Sequence, residues 1–258
     1  MPSRGCIAIS ALLAATAAII LLLYLTFNNN KRLSMDTTEA NWAANRTVPI
    51  HWIDVYCPTD IGIVSDESIS VDFDQSNAIL MRSGAPFKIQ LATRRYIFKD
   101  DCVIEPHETL QYLDIRATVR DLVKETEGFI VISATITTAG GFARYSDLAF
   151  VDKRYVGTPQ KTLIHELGHV WQLSHPFEMK ESLPDLPKGC ATPSERSDQL
   201  YLCPSKIRTC PGSTEDEKLD NVMDYLPLYC GVKYRFTPSQ IDIIDKTSRV
   251  SILPLLKL

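Results

Sequence analysis

Long basic runs are missing from this sequence. Nothing exceeds the pairs Lys31-Arg32 and Arg94-Arg95, and the formal net charge is -4. A phosphate-binding stripe is therefore absent, which excludes a nucleic-acid partner. No internal repeat or long low-complexity stretch appears. Charged residues make up 22% and hydrophobic residues 45%, the proportions of an ordinary globular protein, which excludes a disordered chain. Histidine is scarce, with five in the whole chain, so any pattern that uses several of them carries weight.

One absence is local. Cys6 to Phe27 contains no charged residue, a length close to what a helix needs to cross the hydrocarbon core and longer than the usual core of a cleaved signal peptide. The small residues Ala14 to Ala18 are followed at once by the apolar run Ile19 to Leu25, so cleavage there would leave a greasy new terminus. Residues 1–27 therefore read as a signal-anchor or transmembrane helix, with a cleaved leader and a secreted domain as the alternative. Residues 28–47 are polar and aperiodic and read as a stalk. Six cysteines follow Cys6, namely Cys57, Cys102, Cys190, Cys203, Cys210 and Cys230, an even number that suits disulfides and an oxidising compartment. Asn45-Arg46-Thr47 makes Asn45 the single glycosylation candidate. Both features place residues 48–258 outside the cytosol, as the extracellular or lumenal domain of a single-pass membrane protein.

That domain is long enough for one well-filled core. Val48 to Cys57 is rich in β-branched and aromatic residues and reads as a strand, as does Phe87 to Phe98. Between them, Ser65 to Arg82 has helical spacing, with Ile69, Phe73, Ala78, Leu80 and Met81 apolar. Thr109 to Thr126 reads as a second helix with Leu110, Leu113, Ala117 and Val119 or Val123 on its inner side. Phe129 to Ile136 is a continuous apolar run of the kind a strand buried on both faces shows, and Phe142 to Val151 holds another strand or two. Thr158 is placed to cap a helix from Pro159 to about Gln172. Six prolines then break residues 176–211 into loops, before a capping box at Thr237-Pro238-Ser239-Gln240 opens a last helix. The fold class is α+β. A regular half, 48–172, carries a mostly parallel twisted sheet, and a loop-rich half, 173–258, follows it.

His165-Glu166-Leu167-Gly168-His169 lies in the helix between the halves. Residues four apart stack on one helix face, so both imidazoles reach one ion. A catalytic zinc takes three protein ligands and keeps one position open. His175 supplies the third within HELGHVWQLSH. Glu166 is angled away from the ion and suits a general base. Glu178 or Glu181 as third ligand is the rival arrangement, although Pro176 and Pro184 leave little room for the separate helix such a ligand normally occupies.

The extended pattern resembles the metzincins, whose consensus is HExxHxxGxxH, and within them the pappalysin-type peptidases. Asp220 to Tyr225 resembles that family's methionine turn, Phe236 to Gln240 the start of its last helix, and Gly141 to Tyr145 with Thr162 to Ile164 the approach to its active-site helix. The resemblance implies a zinc metalloendopeptidase acting on protein or peptide substrates. It makes His165, His169 and His175 the ligands, Glu166 the acid/base, Met223 the floor beneath the metal, and Tyr225 a stabiliser of the oxyanion. It also implies disulfides Cys190–Cys210 and Cys203–Cys230, with Cys57–Cys102 left by elimination. Trp171 and Phe177 flank the ligands and are candidates for cleft wall or core. One position departs from the consensus: Gln172 replaces the glycine whose left-handed conformation swings the third histidine back, at a cost of about 1–2 kcal/mol if the backbone path is kept. The competing function is a catalytically inactive, membrane-tethered binding module that retains the peptidase fold.

Overall fold

The computed structural model describes residues 46–58, 62–100, 103–105, 109–123, 128–137, 139–144, 148–159, 161–186, 220–225 and 233–249. The apolar leader, Asn45 and the cysteines other than Cys57 lie outside them. Cys57 is buried and disulfide-bonded. Among the described residues no helix is long and apolar enough to cross a membrane.

Strand β1 (Arg46–Tyr56) leads into helix α1 (Asp66–Arg82), strand β2 (Phe87–Phe98), the short β3 (Val103–Ile104), helix α2 (Thr109–Val123) and β4 (Phe129–Ile136). Strands β5 (Gly141–Arg144) and β6 (Leu148–Asp152), the histidine-bearing helix α3 (Thr162–Val170) and helix α4 (Pro238–Thr247) complete the order. The sheet runs β2-β1-β4-β6-β5, with β3 on β4. Every pairing is parallel except β5 with β6. Helical crossovers cover such a sheet on both faces, which is why β4 and β6 are buried almost throughout and read as unbroken apolar runs. At the sheet's other end, β5 is the antiparallel edge strand.

Local chemistry fixes the helix ends. Ser65 caps α1, its hydroxyl accepting from the Ser68 N–H at 3.0 Å. Thr237 and Gln240 form the expected capping box of α4. Three expectations need correction. The histidine-bearing helix begins at Thr162, not Pro159: the Thr158 hydroxyl donates to the Tyr155 carbonyl at 2.6 Å, closing a turn rather than capping, and Lys161 is the cap residue. Helix α2 buries Ile115 together with the expected Val119 and leaves Leu113 and Ala117 exposed, while the side chains of Leu110 and Val123 lie outside the described residues. Met81 is exposed, one position past the buried Leu80.

Candidate active site

Helix α3 positions the site. Among the described helices it is the most apolar, with Leu163, Ile164, Leu167 and Val170 buried. Its exit carries Gln172 at φ +69°, the sole non-glycine residue with positive φ among those described. The Leu173 N–H donates to the Gly168 carbonyl and the Gln172 N–H to the His169 carbonyl, both at 2.9 Å, which is the Schellman arrangement. The left-handed exit is thus kept without its glycine, and the chain turns back to deliver His175.

The three histidines meet. His175 Nε2 lies 3.2 Å from His165 Nε2 and 3.1 Å from His169 Nε2. A tetrahedral zinc about 2.0–2.1 Å from each nitrogen separates its ligands by about 3.3 Å, close to this spacing. Each outer nitrogen has an acceptor: His165 Nδ1 donates to the Val222 carbonyl at 2.8 Å, His169 Nδ1 to the Leu173 carbonyl at 2.8 Å, and His175 Nδ1 to Glu178 Oε2 at 2.6 Å. Those acceptors fix the tautomer, so three Nε2 lone pairs converge on one point. Burial holds His165 well below the ordinary imidazole range, His169 down to about 4, and His175 below its usual value despite Glu178. Neutral imidazoles with convergent lone pairs repel one another unless a cation lies between them. These residues fit a zinc ion.

Glu166 supports the same reading. Its Oε2 is buried without a hydrogen-bond partner, and burial pushes its carboxyl up to about 8. Such a group calls for a proton or a nearby positive charge. Gly141 at the head of β5 allows the approach, since a Cβ there would stand 2.9 Å from Glu166 Oε1. Gly168 plays the matching part below: a Cβ would lie 2.5 Å from Met223 Sδ, so the buried Met223 fits against the helix because that position is bare. Neither glycine was singled out from the sequence, although Gly168 sits inside the motif.

Tyr225 lies at the open side, with its hydroxyl 2.7 Å from His175 Nε2 and its ring 5.4 Å from that of His165. Burial and nearby carboxylates, Glu166 first among them, push its phenol up to about 12, so it stays a donor. Phe177 stacks on the His175 ring at 4.8 Å, beside the histidine cluster. Trp171 is fully buried between Phe87 and Phe129, in the core. Glu178 is the acceptor behind His175, and among the described residues the ligand cluster holds histidines alone.

The methionine turn is held by groups that sequence reading missed. The Asn221 side chain accepts from the Met223 N–H at 2.9 Å and donates to Gln240 Oε1 at 2.7 Å, joining the turn to the capping box of α4. The Val222 N–H donates to the Arg235 carbonyl at 3.0 Å and the Arg235 N–H to the Asp220 carbonyl at 2.8 Å, forming the Asn221–Arg235 bridge.

Residues 111–248 match the model of a peptidase family described as pregnancy-associated plasma protein-A. Extracellular metalloproteases of Arthroderma benhamiae and Trichophyton verrucosum are each 36% identical over 89 residues, 34% of this chain and 31% of theirs. The chain thus matches about a third of the length of these curated relatives. Among solved structures, mirolysin in complex with a small compound superposes with a TM-score of 0.57 at 15% identity, covering 80% of this chain and 95% of that one. A mutant promirolysin of Tannerella forsythia gives 0.55 at 15% identity, covering 85% and 88%. At that identity the likeness concerns the fold.

Proposed function

Because the chain belongs to the pregnancy-associated plasma protein-A peptidase family, we propose that it is a zinc-dependent endopeptidase hydrolysing peptide bonds of proteins outside the cytosol. His165, His169 and His175 would hold the ion, and the observation that carries this is the convergence of their three Nε2 atoms, each with its Nδ1 proton committed elsewhere. When bound, zinc supplies Lewis acidity, which acidifies water and polarises a carbonyl.

The chain's own residues do the rest. Glu166 Oε2, unpartnered and shielded, takes a proton from water and returns it to the leaving amine as the amide C–N bond breaks. The Tyr225 hydroxyl, one short rotation from its bond to His175, donates to the oxygen on which negative charge develops. Met223 supports helix α3 from below, and Phe177 excludes water on one side. The substrate adds as an extended segment to β5, the edge strand among the described residues, whose Gly141 brings that edge against Glu166. The layout is an anchor at 1–27, a stalk carrying glycosylated Asn45 that ends where β1 begins at Arg46, and a catalytic domain split at residue 173. Its disulfides join Cys57 with Cys102, Cys190 with Cys210, and Cys203 with Cys230. The bonded state of Cys57 and the extracellular relatives support this compartment.

Glu166→Gln is the test. It keeps fold and zinc content and lowers peptide cleavage by about 10²–10⁴-fold. A variant that cleaves a peptide library as fast as the parent would sink the assignment. A parent protein that binds zinc and cleaves nothing would leave the binding module in its place.

A further inference from the structure

Lys161 occupies the cap position of α3 but makes no cap, and a cation in the first turn opposes the helix dipole. Its side chain leaves the helix for the methionine turn. There its ammonium donates to the carbonyls of Val222 at 2.7 Å and Asn221 at 3.3 Å, and also to that of Asp224. The Tyr234 ring lies beneath it, 4.3 Å from nitrogen to centroid. An ammonium has three N–H groups, and three backbone carbonyls of one turn meet it. The helix side is equally specific. The Val222 carbonyl that takes Lys161 is the one that takes the His165 Nδ1 proton, and Asp224 immediately precedes Tyr225. One ammonium therefore sets both the acceptor that aims a metal ligand and the backbone that carries the proposed oxyanion donor.

We propose that Lys161 is a positioning residue of the peptidase site, acting on zinc affinity through Val222 and His165 and on turnover through Asp224 and Tyr225. This rests on the reading of the site given above. Lys161→Met keeps most of the side-chain volume and removes the donors. In the full chain, zinc affinity read by chelator competition falls about tenfold, the lower end of what losing an outer-shell partner costs. The kcat falls about tenfold or more, with KM within twofold, because the displaced group acts in the transition state. Lys161→Arg restores at least half of each loss, since it keeps charge and donors. In a Tyr225→Phe background Lys161→Met lowers kcat by less than threefold, because the residue it positions is already gone. A structural role alone would lower the melting temperature and leave zinc affinity, the kcat-to-KM split and this non-additivity unmoved. If Lys161→Met fails to fold, Lys161→Gln is measured the same way. Either folded variant with zinc affinity and kcat within twofold of the parent overturns the proposal. A parent chain without zinc or activity overturns the underlying reading instead, so the two failures are distinct.

Discussion

Glu178, the rival to His175 as third ligand, accepts the His175 Nδ1 proton on its carboxylate at 2.6 Å and stays on the outer side of the ring. A carboxylate behind an imidazole fixes the tautomer and raises the basicity of the opposite nitrogen. The expected outcome separates the two roles. His175→Ala abolishes stoichiometric zinc retention, whereas Glu178→Gln weakens affinity about 10–100-fold and leaves the stoichiometry at one ion. Chelator titration followed by metal analysis checks this; loss of the ion from Glu178→Gln alone would return Glu178 to the ligand set. Tyr225 is held beside the same ring, its hydroxyl bonded to His175 and its own ring packed against those of His165, His175 and Phe177.

Among the elements, the exit of α3 decides whether the motif closes. Gln172 holds φ +69° with both Schellman bonds made, so the strain is borne by this one residue. Gln172→Gly relieves about 1–2 kcal/mol of left-handed strain and gives back about 0.5–1 kcal/mol in unfolded-chain entropy. The net is stabilisation near 0.5–1 kcal/mol with activity unchanged, read as a higher urea midpoint at constant slope; a lower midpoint would show that the Gln172 side chain contributes something the glycine lacks. A second junction joins α1 to the loop before α3, where the buried Asp72 accepts the Gly157 N–H at 2.9 Å. Burial raises its carboxyl from 3.8 to about 7, against the lowering effect of Gly157. The folded state then binds more protons than the unfolded one between these values. Stability from this group is full below about pH 4 and is lost as pH rises to about 7. Asp72→Asn therefore flattens the profile and is the more stable form at pH 8, by at most about 4 kcal/mol, in denaturant titrations at pH 4 and 8. Most strands were legible because Phe87–Phe98 and Phe129–Ile136 are bounded by turn signals and filled with strand formers. The start of α3 was not, since Pro159 suits a first helical turn and nothing local reveals that Thr158 spends its hydroxyl on Tyr155. The histidine set was legible because its spacing is helical. Lys161, Asn221 and Gly168 were not, because their partners lie up to 63 residues away and only tertiary packing brings them together.

At the scale of the molecule, side chains at element ends join the regular sheet to the turn-bearing half. Arg46 at the start of β1 reaches the end of α4, bonding Asp245 at 2.9 Å and the Ser248 carbonyl at 2.7 Å. Arg82 at the end of α1 donates to the Tyr234 carbonyl at 2.7 Å, and the Ser83 hydroxyl accepts the Phe236 N–H at 2.8 Å. The halves also meet at the site, where His165 touches Val222 and Lys161 reaches the carbonyls of Asn221, Val222 and Asp224. A metal held by three histidines there adds its binding free energy to this joint, because the unfolded chain does not assemble the set. Free zinc at a hundred times its Kd contributes about 2.7 kcal/mol, and a domain of about two hundred residues gains about 2–4 °C per kcal/mol. Chelation is therefore expected to abolish peptide cleavage and to lower the melting temperature by about 5–10 °C relative to that loading. The sheet, whose core of Ile53, Val131 and Phe150 owes nothing to the ion, persists. Hydrogen exchange after chelation should rise at Asn221 to Tyr225 and remain slow in β1 and β4. Uniform acceleration across both would mean that the ion supports the whole domain rather than one joint, and unchanged exchange at the turn would mean that it supports neither.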